Sequence, residues 1–240
     1  MRRFFAPRDN IDDSVITLDA SETRHLRDVL RLKKGDAANV FDGTGGEYSC
    51  IVDAVEKQDT RLTILEKVPP SAPESPLELT LAACQLPGDK FDLLVQKAVE
   101  LGVKRLVPLY SIRTEVRSSG AERRRGRWEK IALGAAKQCG RATLMSIDAP
   151  VAFADFAISP GADSTVYFFS ERDGQKLPPV APGKKITAFV GPKGGWDDSE
   201  IALAREQDFA IITLGGRVLR AETAAITFAA ILQHRLGDVN

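Results

Sequence analysis

The sequence predicts an α/β protein with a small N-terminal β-barrel and a larger C-terminal domain built on a parallel sheet. Three observations support this fold class. Residues 1–68 consist mostly of short segments rich in β-branched and aromatic residues, which is typical of strands. Residues 69–76 contain four prolines and favour a stiff, extended linker. From residue 77 to 240, nearly continuous apolar runs alternate with helical patterns, which indicates a parallel sheet covered by helices on both faces.

The N-terminal region is predicted to contain four strands and one helix. Gly43 to Gly46 contains three glycines between two of the strands and predicts a hairpin turn. In residues 21–32, Leu26, Val29 and Leu30 fall on one face of a short helix. The predicted strands are 15–18, 37–41, 48–55 and 61–68.

The C-terminal region is predicted to contain five buried strands and four helices. Two helices have apolar stripes, over 91–101 and 128–139, and Gly102 ends the first of them. Asp197 and Glu200 have the spacing of a capping box that begins the third. The last helix covers 221–236. The predicted strands are 79–84, 106–110, 166–169, 186–190 and 210–214.

Positive charge is concentrated in one part of a neutral chain. The 240 residues have a formal net charge of zero, yet residues 104–141 contain 11 Lys and Arg against 3 Asp and Glu. A basic segment on an otherwise acidic protein suggests a surface that binds phosphate groups. The alternative, equally compatible with the residues alone, is a solvated loop around the arginines at 123–127.

Several classes of protein are disfavoured. No apolar run approaches the ~20 residues that span a bilayer. The N-terminus has basic residues without an apolar core, so no signal peptide is expected. Three widely spaced cysteines suggest reduced thiols in the cytoplasm. No His, Cys and Asp cluster has the spacing of metal ligands, so no metal is expected.

Two glycine loops, at 191–195 and 214–216, are the main candidates for a binding site. Each follows an apolar run and precedes a helix, and ligands of open α/β sheets bind at that end of a strand. Neither loop has the spacing of a Walker motif or a dinucleotide fingerprint. An isolated loop is more simply explained by turn glycines with a positive φ. Two such loops close together in sequence favour one small-molecule site.

With the series Leu214-Gly-Gly-Arg-Val-Leu-Arg-Ala-Glu-Thr-Ala-Ala225, these loops resemble the C-terminal motifs of the knotted (SPOUT) methyltransferases. They are most similar to the ribosomal RNA small subunit methyltransferase E family. Further matches occur in the family's order at His25-Leu-Arg-Asp-Val-Leu-Arg-Leu-Lys-Lys-Gly-Asp36, Gln96-Lys-Ala-Val-Glu-Leu-Gly-Val103, Arg127-Trp-Glu-Lys-Ile131 and Gln138-Cys-Gly-Arg141.

The resemblance implies a PUA-like RNA-binding barrel over 1–68, a linker over 69–76 and a SPOUT domain with a deep trefoil knot over 77–240. It also implies a cytoplasmic homodimer that uses S-adenosyl-L-methionine to methylate N3 of a uridine in 16S rRNA. Either free 16S rRNA or the assembled small subunit is the expected partner. The knot is expected from the resemblance alone, since threaded chains are rare.

The resemblance also implies how the cofactor is held, mainly by main-chain groups of the glycine loops. One position departs from the family, because the usual Gly-Pro-Glu-Gly-Gly is Gly-Pro-Lys-Gly-Gly here, with Lys193 in place of a carboxylate. This reversal of charge either weakens the site or provides a phosphate contact. The residues expected to bind the cofactor are Ser170, Glu171, Gly191, Gly194, Gly195, Leu214, Gly215, Val218 and Leu219.

Arg220 and Glu222 are the predicted catalytic residues. The helix dipole disfavours Arg217 and Arg220 near a helix start, which suggests a function, although a structural salt bridge to Glu222 is the alternative. A guanidinium stays protonated and cannot act as a base. Arg220 is instead expected to stabilise the negative charge that develops on a uracil carbonyl. The residues expected to bind RNA are Arg24, His25, Arg31, Arg123, Arg124, Arg125, Arg127 and Arg217.

Two other functions stay open at this point. One is a methyltransferase of the same superfamily that acts on the ribose 2′-oxygen, although the N-terminal barrel favours the uridine-N3 family. The other is an RNA-binding protein that has lost catalysis, which the charge reversal at Lys193 makes conceivable. Binding of S-adenosylmethionine distinguishes the second alternative from both enzymes.

Overall fold

The computed structural model describes residues 2–116, 118–161, 163–179 and 185–239. It divides into two compact units, Met1–Glu74 with Leu133–Leu144, and Ser75–Ala132 with Met145–Asn240. The segment 133–144 therefore groups with the N-terminal unit, although it follows the proline-rich segment by more than fifty residues. Nothing in its sequence pattern suggested this grouping.

The N-terminal unit contains a five-stranded sheet in the order β1-β3-β4-β5-β2, curled into a half-barrel. All four predicted strands are confirmed, and β1 was missed because three residues are too few to show a period. Residues from several strands and the helix form its core, among them Phe4, Ile16, Leu26, Val40 and Leu62. The strands are β1 (Arg3–Phe5), β2 (Val15–Leu18), β3 (Ala37–Phe41), β4 (Glu47–Val55) and β5 (Thr60–Val68).

The predicted helix of the N-terminal unit is shorter than expected. Helix α1 (Ala20–Arg24) begins at Asp19, whose carboxylate accepts hydrogen bonds from the first turn, and continues as a π-helical turn over His25–Val29. The predicted end at residue 32 is wrong. Arg31 has a φ of 55°, so the chain leaves the helix there and turns to bury Leu32.

The C-terminal unit contains a seven-stranded sheet in which every pair is parallel. The strand order is β12-β10-β11-β6-β7-β8, and β9 pairs with β7. The five predicted strands are confirmed, and the trefoil knot stays a prediction from the family resemblance. The strands are β6 (Glu78–Cys84), β7 (Arg105–Tyr110), β8 (Ser146–Ile147), β9 (Val151–Ala152), β10 (Thr165–Phe169), β11 (Lys185–Val190) and β12 (Ala210–Ile212).

Strand β12 ends two residues before the predicted position because Thr213 forms hydrogen bonds with the segment that follows β10. Its N–H donates a hydrogen bond to the carbonyl of Gln175, and its hydroxyl donates to the carbonyl of Ser170 at 3.0 Å. The segment after β12 therefore runs beside the segment after β10. Strands β8 and β9 have two residues each, too few for a pattern in the sequence.

The described ranges contain five further α-helices and a short 3-10 helix over Arg8–Asn10. Gly102, with a φ of 70°, ends α2 as predicted, and Asp197 and Glu200 form the predicted capping box of α5. Helix α3 is longer than predicted: its apolar stripe starts at Trp128, but the helix itself begins seven residues earlier, at Ala121. The helices are α2 (Lys90–Glu100), α3 (Ala121–Cys139), α4 (Phe153–Ala157), α5 (Asp198–Glu206) and α6 (Ala221–Leu236).

An aromatic cluster forms the centre of the C-terminal unit. Trp196 is only 1% exposed, and its ring lies 4.5 Å from that of Phe168 and 4.9 Å from that of Phe153. Phe189 contacts the same group through Phe153. This cluster fixes the carboxyl ends of β10 and β11 against α4 and α5. Within the described ranges, no helix is long and apolar enough to cross a membrane.

Candidate cofactor site

Three loops leave one edge of the C-terminal sheet at the same level. Phe169, the last residue of β10, pairs with Val190 at the end of β11 and with Ile212 at the end of β12. The segments that begin at residues 170, 191 and 213 are therefore neighbours. The carboxyl edge of a parallel sheet is where open α/β folds bind small molecules.

A cavity of about 370 Å³ lies between these loops and the first turn of α6. We call it the edge cavity. Its volume is in the range of small-molecule sites, and its apolar walls with a few polar groups are typical of them. The lining residues are Phe169, Glu171, Val190, Gly191, Pro192, Lys193, Gly194, Gly195, Trp196, Val218, Leu219, Ala221 and Ala224.

Trp196 supports the first glycine loop, which covers residues 191–195. Its indole N–H donates a hydrogen bond of 2.8 Å to the carbonyl of Phe169 and so joins this loop to the end of β10. A Cβ atom at Gly191 would lie 2.8 Å from the indole nitrogen. Since the tryptophan is enclosed by the aromatic cluster, it cannot move away, and residue 191 must be glycine. Trp196 was not among the predicted site residues, although a bulky aromatic residue directly after two glycines is a signal for such a role.

Glu171 is the one acidic residue among those that line the edge cavity. Its Oε1 lies 2.7 Å from the position that a Cβ would take on Gly195, whose φ is 71°. The left-handed backbone therefore favours glycine at residue 195, whereas the carboxylate is the end of a flexible side chain and could move aside. The carboxylate lies against the glycine loop, where it can attract a positive charge in the cavity.

Six of the nine predicted cofactor residues line the edge cavity: Glu171, Gly191, Gly194, Gly195, Val218 and Leu219. The structure does not place Ser170, Leu214 or Gly215 in its lining. Ser170 is buried, and its hydroxyl accepts a hydrogen bond from the N–H of Arg172. Gly215 is exposed, with a φ of 67°.

The predicted catalytic residues lie at the start of α6. Arg220 is the exposed N-cap residue, and its neighbours in the chain, Leu219 and Ala221, both line the edge cavity. Glu222 is mostly buried, and its Oε1 lies 3.6 Å from Nζ of Lys90. The alternative of a structural salt bridge between Glu222 and Arg217 or Arg220 is therefore wrong, because Glu222 pairs with Lys90.

Arg217 and Arg220 are exposed, and within the described parts of the chain neither has an ion-pair partner. Two unpaired guanidinium groups thus stand beside the edge cavity. Such groups are available to a negatively charged substrate. Over the same ranges, no group of three or more His, Cys, Asp or Glu side chains is placed to hold a metal ion.

Lys193 has a carboxylate partner in this chain. Its Nζ lies 3.3 Å from Oε1 of Glu115, and both side chains are more than half exposed. Beside it, Arg113 donates to the carbonyl of Gly194 at 3.4 Å and to the carboxylate of Asp197 at 3.1 Å. Hydrogen bonds from Ser199, with smaller contributions from Arg113, lower the pKa of Asp197 below its ordinary value. The segment after β7 therefore contacts the glycine loop through one ion pair and one hydrogen bond, and the start of α5 through a second ion pair.

The predicted RNA-binding residues of the N-terminal unit all lie near α1. Arg24 and Arg31 are exposed. His25 is half-buried, with its ring 6.1 Å from that of Phe4 in an edge-to-face contact. The two arginines are accessible to a ligand, whereas His25 contributes to packing.

The four arginines predicted to bind RNA on α3 have different surroundings. Arg123 and Arg127 are exposed. Arg124 is partly buried and donates hydrogen bonds to Gln85 and to the hydroxyl of Tyr110. Arg125 pairs with Glu122 and Glu129 on its own helix. The sequence could not separate these roles, because the arginines are nearly consecutive.

Comparison with known proteins agrees with this geometry. An RNA methyltransferase domain model matches residues 73–233, and an RNA methyltransferase PUA domain model matches residues 18–65. The chain is 32% identical over 228 residues to the ribosomal RNA small subunit methyltransferase E of Synechocystis, covering 92% of this chain and 74% of that protein. It is 30% identical to the Rickettsia conorii protein of the same name, covering 94% and 91% of the two chains.

A solved structure is similar along the whole chain. It is a ribosomal RNA small subunit methyltransferase E from Neisseria gonorrhoeae bound to S-adenosyl methionine, with a TM-score of 0.91, 32% identity and complete coverage of both chains. The matched domain models, the relatives and the similar structure all indicate the same family, and a cavity suited to a small molecule lies at the carboxyl edge of the sheet. The chain therefore belongs to the ribosomal RNA small subunit methyltransferase E family.

Proposed function

We propose that this protein transfers a methyl group from S-adenosylmethionine to N3 of a uridine in 16S rRNA, in the cytoplasm. The observation that carries the proposal is the edge cavity, built from three loops at the carboxyl ends of β10, β11 and β12. It has the size of a small-molecule site, and a family member with the same fold is bound to this cofactor.

The residues of the edge cavity fit S-adenosylmethionine. Apolar side chains, including Phe169, Val190 and Leu219, suit the adenine ring, and the main chain of 191–195 offers hydrogen-bonding groups. Glu171 supplies a negative charge that suits the positively charged cofactor. When bound, S-adenosylmethionine supplies an activated methyl group on a sulfonium. The six predicted residues that line the cavity would hold it.

The start of α6 would act on the base. N3 lies on the Watson–Crick edge, so the uridine must be unpaired or extruded to be methylated. Arg220 is unpaired within the described ranges and would stabilise the charge on a uracil carbonyl as N3 loses its proton. The ion pair between Glu222 and Lys90 would fix the first turn of α6, and with it the backbone of Arg220.

Nucleoside analysis of small-subunit rRNA tests the proposed reaction. Cells without the gene should lack one 3-methyluridine, and the gene should restore it. Loss of a 2′-O-methylated nucleoside instead would support the ribose enzyme. Unchanged nucleosides, together with no binding of S-adenosylmethionine in calorimetry, would support an RNA-binding protein without catalysis.

We also propose that the protein is a homodimer. Val218 lines the edge cavity, yet it is 83% exposed, so an apolar side chain stands uncovered at the cavity's rim. A second copy would cover it. From its sequence, the alanine-rich last helix, 221–236, is expected at or near the dimer interface, but Ala224, Ala225 and Ala229 are buried within the chain and are not available to a partner. Sedimentation at micromolar concentration should give the mass of a dimer, and a fully active monomer would contradict the proposal.

The change Lys193→Glu should alter the affinity for S-adenosylmethionine by less than tenfold, which is about 1.4 kcal/mol. It places a carboxylate opposite Glu115, but both positions are exposed, so solvent weakens the repulsion. Calorimetry on Lys193→Glu and on the double variant Lys193→Glu/Glu115→Lys measures the effect. A gain above tenfold in both variants would mean that lysine impairs the cofactor site.

A further inference from the structure

The first half of α3 carries three cations on one face. Arg123, Arg127 and Lys130 are separated by four and three residues, so their side chains are neighbours along the helix. All three are exposed. Within the described parts of the chain, Arg123 and Lys130 have no ion-pair partner, and Arg127 pairs with Asp92.

The other charges of this helix segment are already neutralised or turned inward. Glu122 and Glu129 both pair with Arg125 on a neighbouring face. Arg124 extends towards Gln85 and Tyr110. The surface formed by residues 123, 127 and 130 therefore carries two cations that are unpaired within the described structure, Arg123 and Lys130, and the exposed Arg127 between them, which pairs with Asp92.

A shallow cavity of about 530 Å³ lies on this surface. It is lined by Arg123, Gly126, Arg127, Lys130 and Ile131, which we call the α3 basic face. Gly126 is one of its lining residues, and nothing lies within 4 Å of the position that its Cβ would take. Glycine is among the least favourable residues in a helix interior, and no neighbour within the described structure requires it here. A missing side chain between cations leaves room for another molecule's backbone to approach closely.

We propose that the α3 basic face binds the phosphodiester backbone of the substrate RNA, an inference that rests on the proposed function. Arginine and lysine are the residues that contact phosphates, and such contacts position a nucleic acid without reading its sequence. Among the lining residues no aromatic side chain is present on which a base could stack. The face thus fits a backbone and not a base.

The double variant Arg123→Ala/Lys130→Ala tests the inference. Its affinity for a small-subunit rRNA fragment should be measured over a series of salt concentrations. Each phosphate contact contributes about 0.7–0.9 to the slope of log affinity against log salt, so the slope should fall by about 1.4–1.8. The affinity for S-adenosylmethionine should not change. A control variant, Arg205→Ala/Lys185→Ala, removes two exposed cations elsewhere and should leave the slope nearly unchanged.

The variant Gly126→Leu separates shape from charge. It adds a large side chain to the lining of the cavity but keeps every cation, so RNA affinity should fall about tenfold, or about 1.4 kcal/mol, while the salt slope stays the same. Thermal unfolding should show no loss of stability, because the new side chain meets open space and leucine favours a helix. Unchanged RNA affinity in Gly126→Leu would overturn the steric part of the inference.

The outcomes separate this inference from the proposed function. If the wild-type protein methylates rRNA but Arg123→Ala/Lys130→Ala keeps the full salt slope, the α3 basic face is not the RNA site. If RNA affinity is unchanged and only methylation of assembled subunits falls, the face meets an acidic protein instead. If the wild-type protein neither binds S-adenosylmethionine nor methylates rRNA, the proposed function itself fails.

Discussion

Arg220→Ala should reduce the rate of methyl transfer by about a hundredfold or more while the affinity for S-adenosylmethionine stays nearly the same. The side chain is exposed at the N-cap of α6, next to two residues that line the edge cavity but not itself in that lining. Its interaction with the uracil strengthens only as negative charge develops, so its loss affects the transition state more than binding.

Single-turnover methyl transfer to small-subunit RNA, combined with calorimetry, measures this effect. Arg220→Lys should recover little activity, because an ammonium group does not reproduce the planar, two-pronged contact of a guanidinium. Arg217→Ala is the matched comparison, since Arg217 is also exposed and unpaired within the described chain, and it should weaken RNA binding rather than slow the chemical step.

Other results would reassign Arg220. If Arg220→Ala loses cofactor binding and turnover together, the residue supports the loop that precedes α6. If both persist, Arg220 has no catalytic role, and Arg217 or Glu222 becomes the next candidate. Glu222 is then tested together with Lys90, its ion-pair partner.

Trp196→Ala should lower the free energy of unfolding by about 3–5 kcal/mol, the usual cost of truncating a large buried aromatic residue. The ring is fully enclosed by aromatic neighbours, and its N–H is bonded to the carbonyl of Phe169. The variant should also weaken binding of S-adenosylmethionine, because Gly191 rests on the indole ring.

Trp128→Ala is the matched control for Trp196→Ala. Trp128 is 3% exposed, and its ring lies 4.5 Å from that of Phe91, away from the edge cavity. It should lose similar stability without losing cofactor affinity. Urea unfolding measures the stability of both variants, and calorimetry under conditions where both are folded measures their affinity for S-adenosylmethionine.

A milder change keeps the test decisive if the alanine variant does not fold. Trp196→Phe retains an aromatic ring but removes the N–H donor to Phe169, so it should weaken cofactor binding at a smaller cost in stability. Unchanged cofactor affinity in both Trp196 variants would mean that the glycine loop keeps its shape without the indole.

The sequence predicted secondary structure best where buried residues recur at a regular spacing along the chain. Helix α6 was predicted with its observed bounds, and the apolar runs of β10 and β11 within one residue of theirs, because each has a regular pattern of buried residues. The elements missed, such as β1, β8 and α4, have two to five residues, too few for a period to be visible. The glycine loops could be predicted because glycine is typical of turns in which the backbone adopts a positive φ.

The fold class, the two glycine loops and the family resemblance could be predicted from the sequence, since they depend on local patterns and on motif order. Which side chains meet became visible in the folded chain alone. It paired Glu222 with Lys90 and Lys193 with Glu115, and it placed Trp196 beneath Gly191. It also separated Arg123 from Arg124, although they are adjacent in the chain. A local pattern shows which residues are buried, whereas their partners depend on how distant segments of the chain pack together.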